Sequence, residues 1–299
     1  MPGQGSIIRA TDYNAIQSNI STVLGTGSGY FGYGQTLLSS PVAQEDLITQ
    51  AQWDNLRLDL LRARQHQTGL DESSNLIDPT TTTIITEAAR EQFANFSQVA
   101  VNNKFSCASN QGTIDALESK TRTTSWNNYL KHTIVATFSS ANHMRHFFNA
   151  GGSFRFTASR TGGSTSTINQ TYTTILDEMG TVIMNHADTT STGTTPIVNP
   201  GNGYYGLTPS VTQRIYRKRV NSSNYYGYYS YGQVALTNYR IDATLSADST
   251  QIIFEIYFES DSASANQTVD GTLTSTVQLF RPSGTNVSIV KPASSQSGL

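Results

Sequence analysis

Apolar side chains recur at helical spacing in three segments of the first third of the chain. The segment TDYNAIQSNISTVLG offers Thr11 or Asp12 as its N-cap and ends at Gly25, and TQAQWDNLRLDLLRARQHQTG begins at the cap Thr49 and ends at Gly69. A third segment, TEAAREQFANFSQVAV, follows farther along the chain. The three apolar stripes are Tyr13, Ile16, Ile20 and Val23; Trp53, Leu56, Leu60 and Ala63; and Ala89, Phe93, Phe96 and either Val99 or Ala100.

From about residue 125 the period of the apolar pattern changes to two. Alternation of this kind predicts half-buried antiparallel strands, and SADST is predicted to join two of them as a hairpin loop. SSANHMRHFFNAGG and NQTYTTILDEMG are short helical insertions. The predicted fold is therefore α+β, a helical N-terminal module followed by an antiparallel β-sandwich with short helical insertions. The alternating apolar positions are Ile134, Ala136 and Phe138; Phe154, Phe156 and Ala158; Tyr239, Ile241, Ala243 and Leu245; Ile252, Phe254, Ile256 and Phe258; and Leu273, Val277 and Leu279.

Composition along the chain predicts three parts. Residues 1–70 form a helical attachment module with a glycine-rich connector, and residues 71–83, DESSNLIDPTTTT, form a linker. Residues 84–299 form a β-sandwich-like domain with an N-terminal helix. The attachment module buries too little apolar surface to be stable alone, so we expect it to need a partner surface or the β-region.

Charge is sparse along the whole chain. Only 13% of the 299 residues are charged, about half the usual share, and the net charge is -2. This balance gives no electrostatic attraction to nucleic acid or membrane. The single cysteine excludes an intrachain disulfide. The opening MPGQGSIIRA lacks a basic stretch followed by an apolar run, so we expect no signal peptide and no membrane span.

The glycine-rich stretch GTGSGYFGYGQ raises the question of a phosphate site. A phosphate loop needs a preceding strand and a following lysine with Ser or Thr, whereas here a predicted helix precedes and Gln-Thr-Leu follows. We therefore interpret the stretch as a connection between two helices. Its aromatic residues Tyr30, Phe31 and Tyr33 are predicted to pack on a neighbouring protein.

Other candidate chemistry is weak. His143 and His146 form an HxxH pair on a predicted helix, but no acidic or cysteine ligand lies close in sequence. No nucleophile-elbow motif occurs, although a Ser-His-Asp triad stays open in a chain so rich in serine. The carboxylates Asp177, Glu178, Glu255 and Glu259 are candidates for a glycosidase pair, but the last two lie on the polar face of a strand. We expect no catalytic residue, no metal, no cofactor and no enzymatic activity.

A cationic and a tyrosine-rich segment follow each other in the last third. In RIYRKRV, alternation places Arg217 on the face of Ile215, and Arg214 and Lys218 on the face of Tyr216. Tyrosine at high density supplies large contact area with a polar tip. We expect a protein contact there, with Arg217 at its rim; a sugar-stacking surface and a strand or loop that covers the sandwich stay open. The tyrosines are Tyr225, Tyr226, Tyr228, Tyr229 and Tyr231.

Several blocks of the sequence resemble a known family. IIRATDYNAIQSNISTVLGTGSGYFGYGQ, SPVAQEDLITQAQWDNLRLDLLRARQHQTG and TIVATFSSANHMRHFFNAGGSFRFTASRTGG resemble virion structural proteins of T4-like marine cyanophages and related tailed phages. ATLSADSTQIIFEIYFES and VDGTLTSTVQLFRP are also similar. The resemblance covers most of the chain and implies a tail, baseplate or neck component without a catalytic role. It carries over no functional residues.

Together these observations predict a structural virion protein, assembled in the host cytoplasm, that contacts copies of itself and other virion proteins. A receptor- or sugar-binding fibre module, which would contact a host surface glycan, is the alternative that the tyrosines motivate. A polysaccharide-degrading tail enzyme is the third and weakest hypothesis.

Overall fold

The computed structural model describes residues 8–79, 85–193, 201–221, 236–260 and 268–299. The α+β fold is confirmed: three helices come first, and two antiparallel sheets with interspersed helices follow. In these ranges the α-helices are α1 (Ala10–Leu24), α2 (Gln50–Thr68), α3 (Glu87–Asn102), α4 (Ala141–Asn149) and α5 (Thr167–Met179).

The helix ends follow the capping residues in most cases. Thr49 caps α2 together with Gln52 in a capping box, and Gly69 ends that helix in the left-handed region at φ 74°. Thr86 caps α3 through the backbone N–H of Ala89. The predicted cap of α1 is wrong, because the helix already begins at Ala10 and Asp12 instead accepts a hydrogen bond from the backbone of Arg9.

The first three helices share one aromatic core. Trp53 of α2 lies between Tyr13 of α1 and Phe93 of α3, with ring centroids 5.3 Å and 5.1 Å apart and edge-to-face geometry. All three rings are buried. Each comes from the predicted apolar stripe of its own helix, so the helical periodicity identified the side chains that hold these helices together.

The described strands form two sheets. One has the order β1-β10-β3-β4-β5-β6 and the other β11-β2-β9-β8-β7. Strands β1, β4, β5, β6 and β11 are additions to the sequence-based prediction. The strands are β1 (Gly112–Arg122), β2 (Tyr129–Thr137), β3 (Ser153–Thr161), β4 (Val182–Met184), β5 (Asp188–Ser191), β6 (Gly201–Asn202), β7 (Thr212–Asn221), β8 (Leu236–Leu245), β9 (Gln251–Ser260), β10 (Thr272–Pro282) and β11 (Ala293–Gly298).

The two sheets pack face to face through the alternating apolar residues. Phe254 of β9 contacts Phe154 and Phe156 of β3, with ring centroids 4.8 Å and 5.0 Å apart. β8 and β9 pair from Leu245↔Ile252 onward, so residues 246–250 are the hairpin loop that the sequence predicted. The side chains of β11 also bind β1 at the sheet edge, where Gln296 donates to the carbonyl of Ser119. This contact partly covers an edge strand that would otherwise expose unpaired backbone groups.

A bulge in β7 changes the predicted alternation. The register shifts between Arg214 and Tyr216, and both Ile215 and Tyr216 are buried. Lys218 shares the inner face with Tyr216 as predicted, but Arg214 pairs opposite Asp242 on the outer face. The prediction for Arg214 is therefore wrong, because the extra residue of a bulge reverses the side-chain direction of what precedes it.

Spatial compactness divides the chain into two units that interleave along the sequence. Unit 1 takes its described residues from Met1–Thr113, Asn142–Gly152 and Arg281–Val290. Unit 2 takes its described residues from Ile114–Ala141, Ser153–Phe280 and Lys291–Leu299. Whether residues 1–70 act as a separate attachment module stays a prediction. No helix in the described ranges is both long and apolar enough to cross a membrane.

Candidate protein-contact site

The glycine-rich stretch of unit 1 folds back onto the C-terminus of α1. The backbone N–H groups of Tyr33 and Gln35 donate to the carbonyls of Val23 and Leu24, at 2.9 Å and 2.7 Å, and that of Gly34 donates to Gly25 at 2.8 Å. These bonds satisfy carbonyls that the end of a helix leaves without a partner. Since its last amides are used in this way, the stretch caps α1 and does not present them to a phosphate.

Helix α4 holds the opposite side of the same loop through backbone carbonyls. The Arg145 guanidinium donates to the carbonyls of Phe31, of Thr26 at 2.6 Å and of Gly27 at 3.2 Å. His146 Nε2 lies 2.9 Å from the Thr26 carbonyl, and the Asn149 amide lies 3.2 Å from the carbonyl of Gly29. The loop is thus a fixed part of unit 1.

The close approach of α4 explains one glycine in particular. A Cβ on Gly34 would lie 2.2 Å from Nδ1 of His146, and Gly34 has φ +72°, where glycine is favoured. The backbone therefore approaches a helix of the same chain.

The fixed loop presents a half-exposed aromatic cluster, which we define as Tyr30, Phe31, Lys104 and Phe105. The Tyr30 and Phe105 rings meet edge to face with centroids 6.5 Å apart, and Tyr30 is 55% exposed. The Lys104 ammonium lies 4.8 Å from the Phe31 centroid and 5.0 Å from that of Phe105, within cation–π range. Aromatic side chains are enriched at protein interfaces, whereas lysine is depleted there, so the rings and not the cation favour a contact surface.

Other predicted contact residues lie elsewhere. Tyr33 is fully buried, stacks edge to face on His66 and accepts a hydrogen bond from Gln67, so it offers no surface to a partner and its assignment is wrong. Arg217 is half-buried on the outer face of β7 and donates to Asn238. The five tyrosines between residues 225 and 231 lie outside the described residues, so their assignment stays a prediction.

Lys104 and Phe105 were missed by the sequence interpretation. They lie in the segment NNKFSC, directly after the last turn of α3. In this segment no hydrophobic periodicity separates buried from exposed positions. A cation next to an aromatic residue at a helix end was the available signal. What makes the pair a site is its contact with a loop more than 70 residues earlier in the chain, which local patterning does not reveal.

The HxxH pair of α4 has structural partners. His143 Nε2 lies 2.9 Å from the carbonyl of Val290, and His146 contacts Thr26. Burial, followed by the charge of Arg145 and of His143, lowers the pKa of His146, while its hydrogen bond to Thr26 acts in the opposite direction. Within the described ranges, no cluster of three or more His, Cys, Asp or Glu side chains is placed to hold a metal ion.

A Ser-His-Gln arrangement occurs in the core of unit 2. His132 Nδ1 lies 3.0 Å from Ser275 Oγ, and its Nε2 lies 2.9 Å from Gln296 Oε1. His132 and Ser275 are both fully buried between the sheets, and burial lowers the pKa of His132. A substrate has no route to this serine, so the group links β2 and β10 across the sandwich.

Cys107 and His66 form a second pair of side chains, but neither is in the protonation state that a nucleophilic cysteine needs. Their Sγ and Nδ1 atoms lie 3.9 Å apart. Burial raises the pKa of the Cys107 thiol to about 12 and lowers the pKa of His66 to about 4. Both groups are therefore neutral at pH 7, whereas a reactive cysteine needs a lowered pKa.

The candidate carboxylates are engaged in ion pairs or lie in solvent. Glu255 binds Lys131 at 2.7 Å, which lowers the pKa of that carboxyl, and Glu259 binds Arg240 at 2.7 Å. Glu178 binds Lys218 at 3.2 Å, and Asp177 is exposed. A glycosidase acid needs a raised pKa so that it can donate a proton. Glu255 has the opposite shift.

Comparison of the chain with protein-family models, with curated proteins and with solved structures gives no significant match.

Proposed function

We propose that the chain is a structural component of a tailed-bacteriophage virion, in the tail, baseplate or neck or associated with a fibre. It acts through contacts with copies of itself and with other virion proteins, and it has no catalytic role. The observation that carries the proposal is the aromatic cluster of unit 1, an exposed contact surface held in place by the chain's own backbone hydrogen bonds.

The energetics of the cluster suit a contact surface. Burying one exposed aromatic ring contributes roughly 1–3 kcal/mol, so two or three rings can dominate an interface. Arg145 and Asn149 already fix the loop that carries Tyr30 and Phe31. Binding therefore orders little further backbone, and a preorganised surface loses less entropy on association.

Two sequence features point the same way. The quoted blocks resemble virion structural proteins over most of the chain, and the low charge reduces repulsion between neighbouring copies.

The candidate catalytic groups do not suit catalysis. The histidines with a lowered pKa and the cysteine are neutral, and the buried Ser-His-Gln group is inaccessible. These observations favour assembly over catalysis.

The test uses the full chain without two rings of the cluster, the exposed ring of Tyr30 and the half-buried ring of Phe105. We expect Tyr30→Ser combined with Phe105→Ser to fold as the wild type does but to be lost from purified phage particles, because the contact area is gone. Antibody detection of the chain in the particles measures incorporation, and circular dichroism checks the fold.

Tyr129→Ser is the matched control, since Tyr129 is 60% exposed but belongs to unit 2. It should incorporate normally. Normal incorporation of the folded double variant, or absence of the wild-type chain from particles, would refute the proposal.

A sugar-binding fibre module is the second candidate, and the outer face of the five-stranded sheet favours it. The rings of Tyr129 and Tyr257 lie 6.5 Å apart, and the Arg240 guanidinium stacks 3.9 Å from the Tyr257 centroid. Exposed tyrosines beside charged groups suit stacking and hydrogen bonding to a glycan. Glycan-array binding that Tyr129→Ser abolishes would support this function; release of reducing ends from host polysaccharide would instead indicate a tail enzyme.

A further inference from the structure

An acidic turn projects from unit 1 just before α2, and we define it as the acidic knob: Glu45, Asp46 and Leu47. The backbone N–H of Asp46 donates to the carbonyl of Ala43 at 3.3 Å, which closes the turn. Leu47 is 88% exposed, more than any other large apolar side chain for which exposure is described. The turn therefore presents one exposed apolar side chain beside two carboxylates.

The backbone of the knob is held in an unusual conformation. Glu45 has φ +75°, in the left-handed region that side-chain-bearing residues rarely adopt. Such a conformation is strained and is more frequent at functional sites than elsewhere. Both carboxylates are exposed, and among the described residues neither lies within 4.0 Å of a cation. The knob thus presents negative charge that no cation of the described residues neutralises.

The aromatic cluster carries the opposite charge. Lys104 lies over two of its rings, and the Arg145 guanidinium binds the Phe31 carbonyl beneath them. In the described part of the chain, no carboxylate lies within 4.0 Å of either cation. The cluster therefore combines an apolar surface with positive charge, and the knob combines an apolar tip with negative charge.

We propose that the acidic knob of one copy binds the aromatic cluster of a second copy. Leu47 packs on the rings of Tyr30 and Phe105, while Glu45 and Asp46 approach Lys104. Within one copy the acidic knob does not cover the aromatic cluster, because Leu47 is almost fully exposed in the single chain. This inference rests on the proposed function, in which the cluster is a protein contact, and it names the partner.

The contact is heterologous, because a knob meets a different surface on the next copy. Heterologous contacts repeat head to tail and generate rings or open filaments. One knob and one cluster bury less than the roughly 1,200 Å² typical of a stable interface, so the contact is weak in isolation. Repetition in a particle strengthens it by raising the effective concentration.

The experiment measures self-association of the purified full chain by sedimentation velocity over a concentration series. We expect concentration-dependent association that weakens with added salt, because exposed charges are screened over about 8–10 Å. Lys104→Glu, and separately Glu45→Lys with Asp46→Lys, should each weaken association at least about tenfold through like-charge repulsion. Combining all three substitutions in one chain should recover part of the association, since lysines at positions 45 and 46 again meet an opposite charge at position 104, although Arg145 stays cationic.

Glu91→Lys is the matched control, since Glu91 is an exposed carboxylate of α3 in the same unit, and it should associate as the wild type does. Lys104→Gln replaces Lys104→Glu if the reversed variant fails to fold. A monomeric wild type, or a triple variant that does not recover, overturns the self-contact. If the Tyr30/Phe105 double variant is nevertheless lost from particles, the proposed function stands and the cluster binds another virion protein.

Discussion

At the scale of single residues, buried polar groups in unit 1 are matched to partners in a particular protonation state. His66 is fully buried and its Nε2 lies 2.9 Å from the carbonyl of Ala150, which requires a proton on that nitrogen only. Burial lowers the pKa of His66 to about 4, with the hydrogen bond to Ala150 acting weakly in the other direction. The neutral ring is therefore the form that the folded chain accommodates.

This protonation state predicts a loss of stability in acid. The unfolded chain binds a proton at His66 near pH 6.5 while the folded chain resists it until about pH 4, so the free energy of unfolding falls as the pH drops through that window. Between pH 7 and pH 5 the contribution of His66 is about 2 kcal/mol. Urea unfolding of the wild type and of His66→Gln at both pH values measures it. An equal pH dependence in the two proteins would contradict this reading of His66.

At the scale of elements, α4 stabilises a loop that is distant from it in sequence. Arg145 binds three loop carbonyls, and the loop amides of Tyr33 and Gln35 in turn cap α1. Replacing Arg145 removes hydrogen bonds from a charged donor to these carbonyls, and a hydrogen bond to a charged group contributes about 1.5–3 kcal/mol at most. The loop, α1 and α4 are therefore expected to open together.

We predict that Arg145→Gln speeds amide hydrogen exchange at residues 33–35 by at least about tenfold, since the local opening free energy falls. The control is Arg122→Gln, because Arg122 also binds backbone carbonyls, of Thr124 and Ser125, but lies in unit 2. Exchange at residues 33–35 should be unchanged in the control. Unchanged exchange in Arg145→Gln would show that the hydrogen bonds of Arg145 do not hold the loop.

Helices and strands could be predicted from the sequence where their apolar residues follow a single clear periodicity. Thr49 and Gly69 bound α2, and the alternation around Phe254 marks β9, because a half-buried element repeats its apolar face. The sequence interpretation missed β11, whose residues ASSQSG are all small or polar, and β1, in which Leu117 is the single buried side chain. Both strands lie at sheet edges, where pairing does not require an apolar face.

At the scale of the whole molecule, the candidate site depends on contacts between distant segments. Tyr30 and Phe31 could be selected from the sequence as aromatic residues in a glycine stretch, but Lys104 and Phe105 join them only in three dimensions. Tyr33, in the same stretch, is instead buried against Gln67. Local patterning does not separate these outcomes, because the interleaving of segments in unit 1 decides which ring reaches the surface.

The central claim is that the aromatic cluster is a protein contact within an assembled virion. A cryo-EM map of the intact particle tests it most directly. We expect density for the helical unit and the two sheets in the particle, with the rings of Tyr30 and Phe105 covered by a neighbouring protein. Density in which this fold is present but the cluster faces open solvent, or a particle without the fold, would contradict the claim.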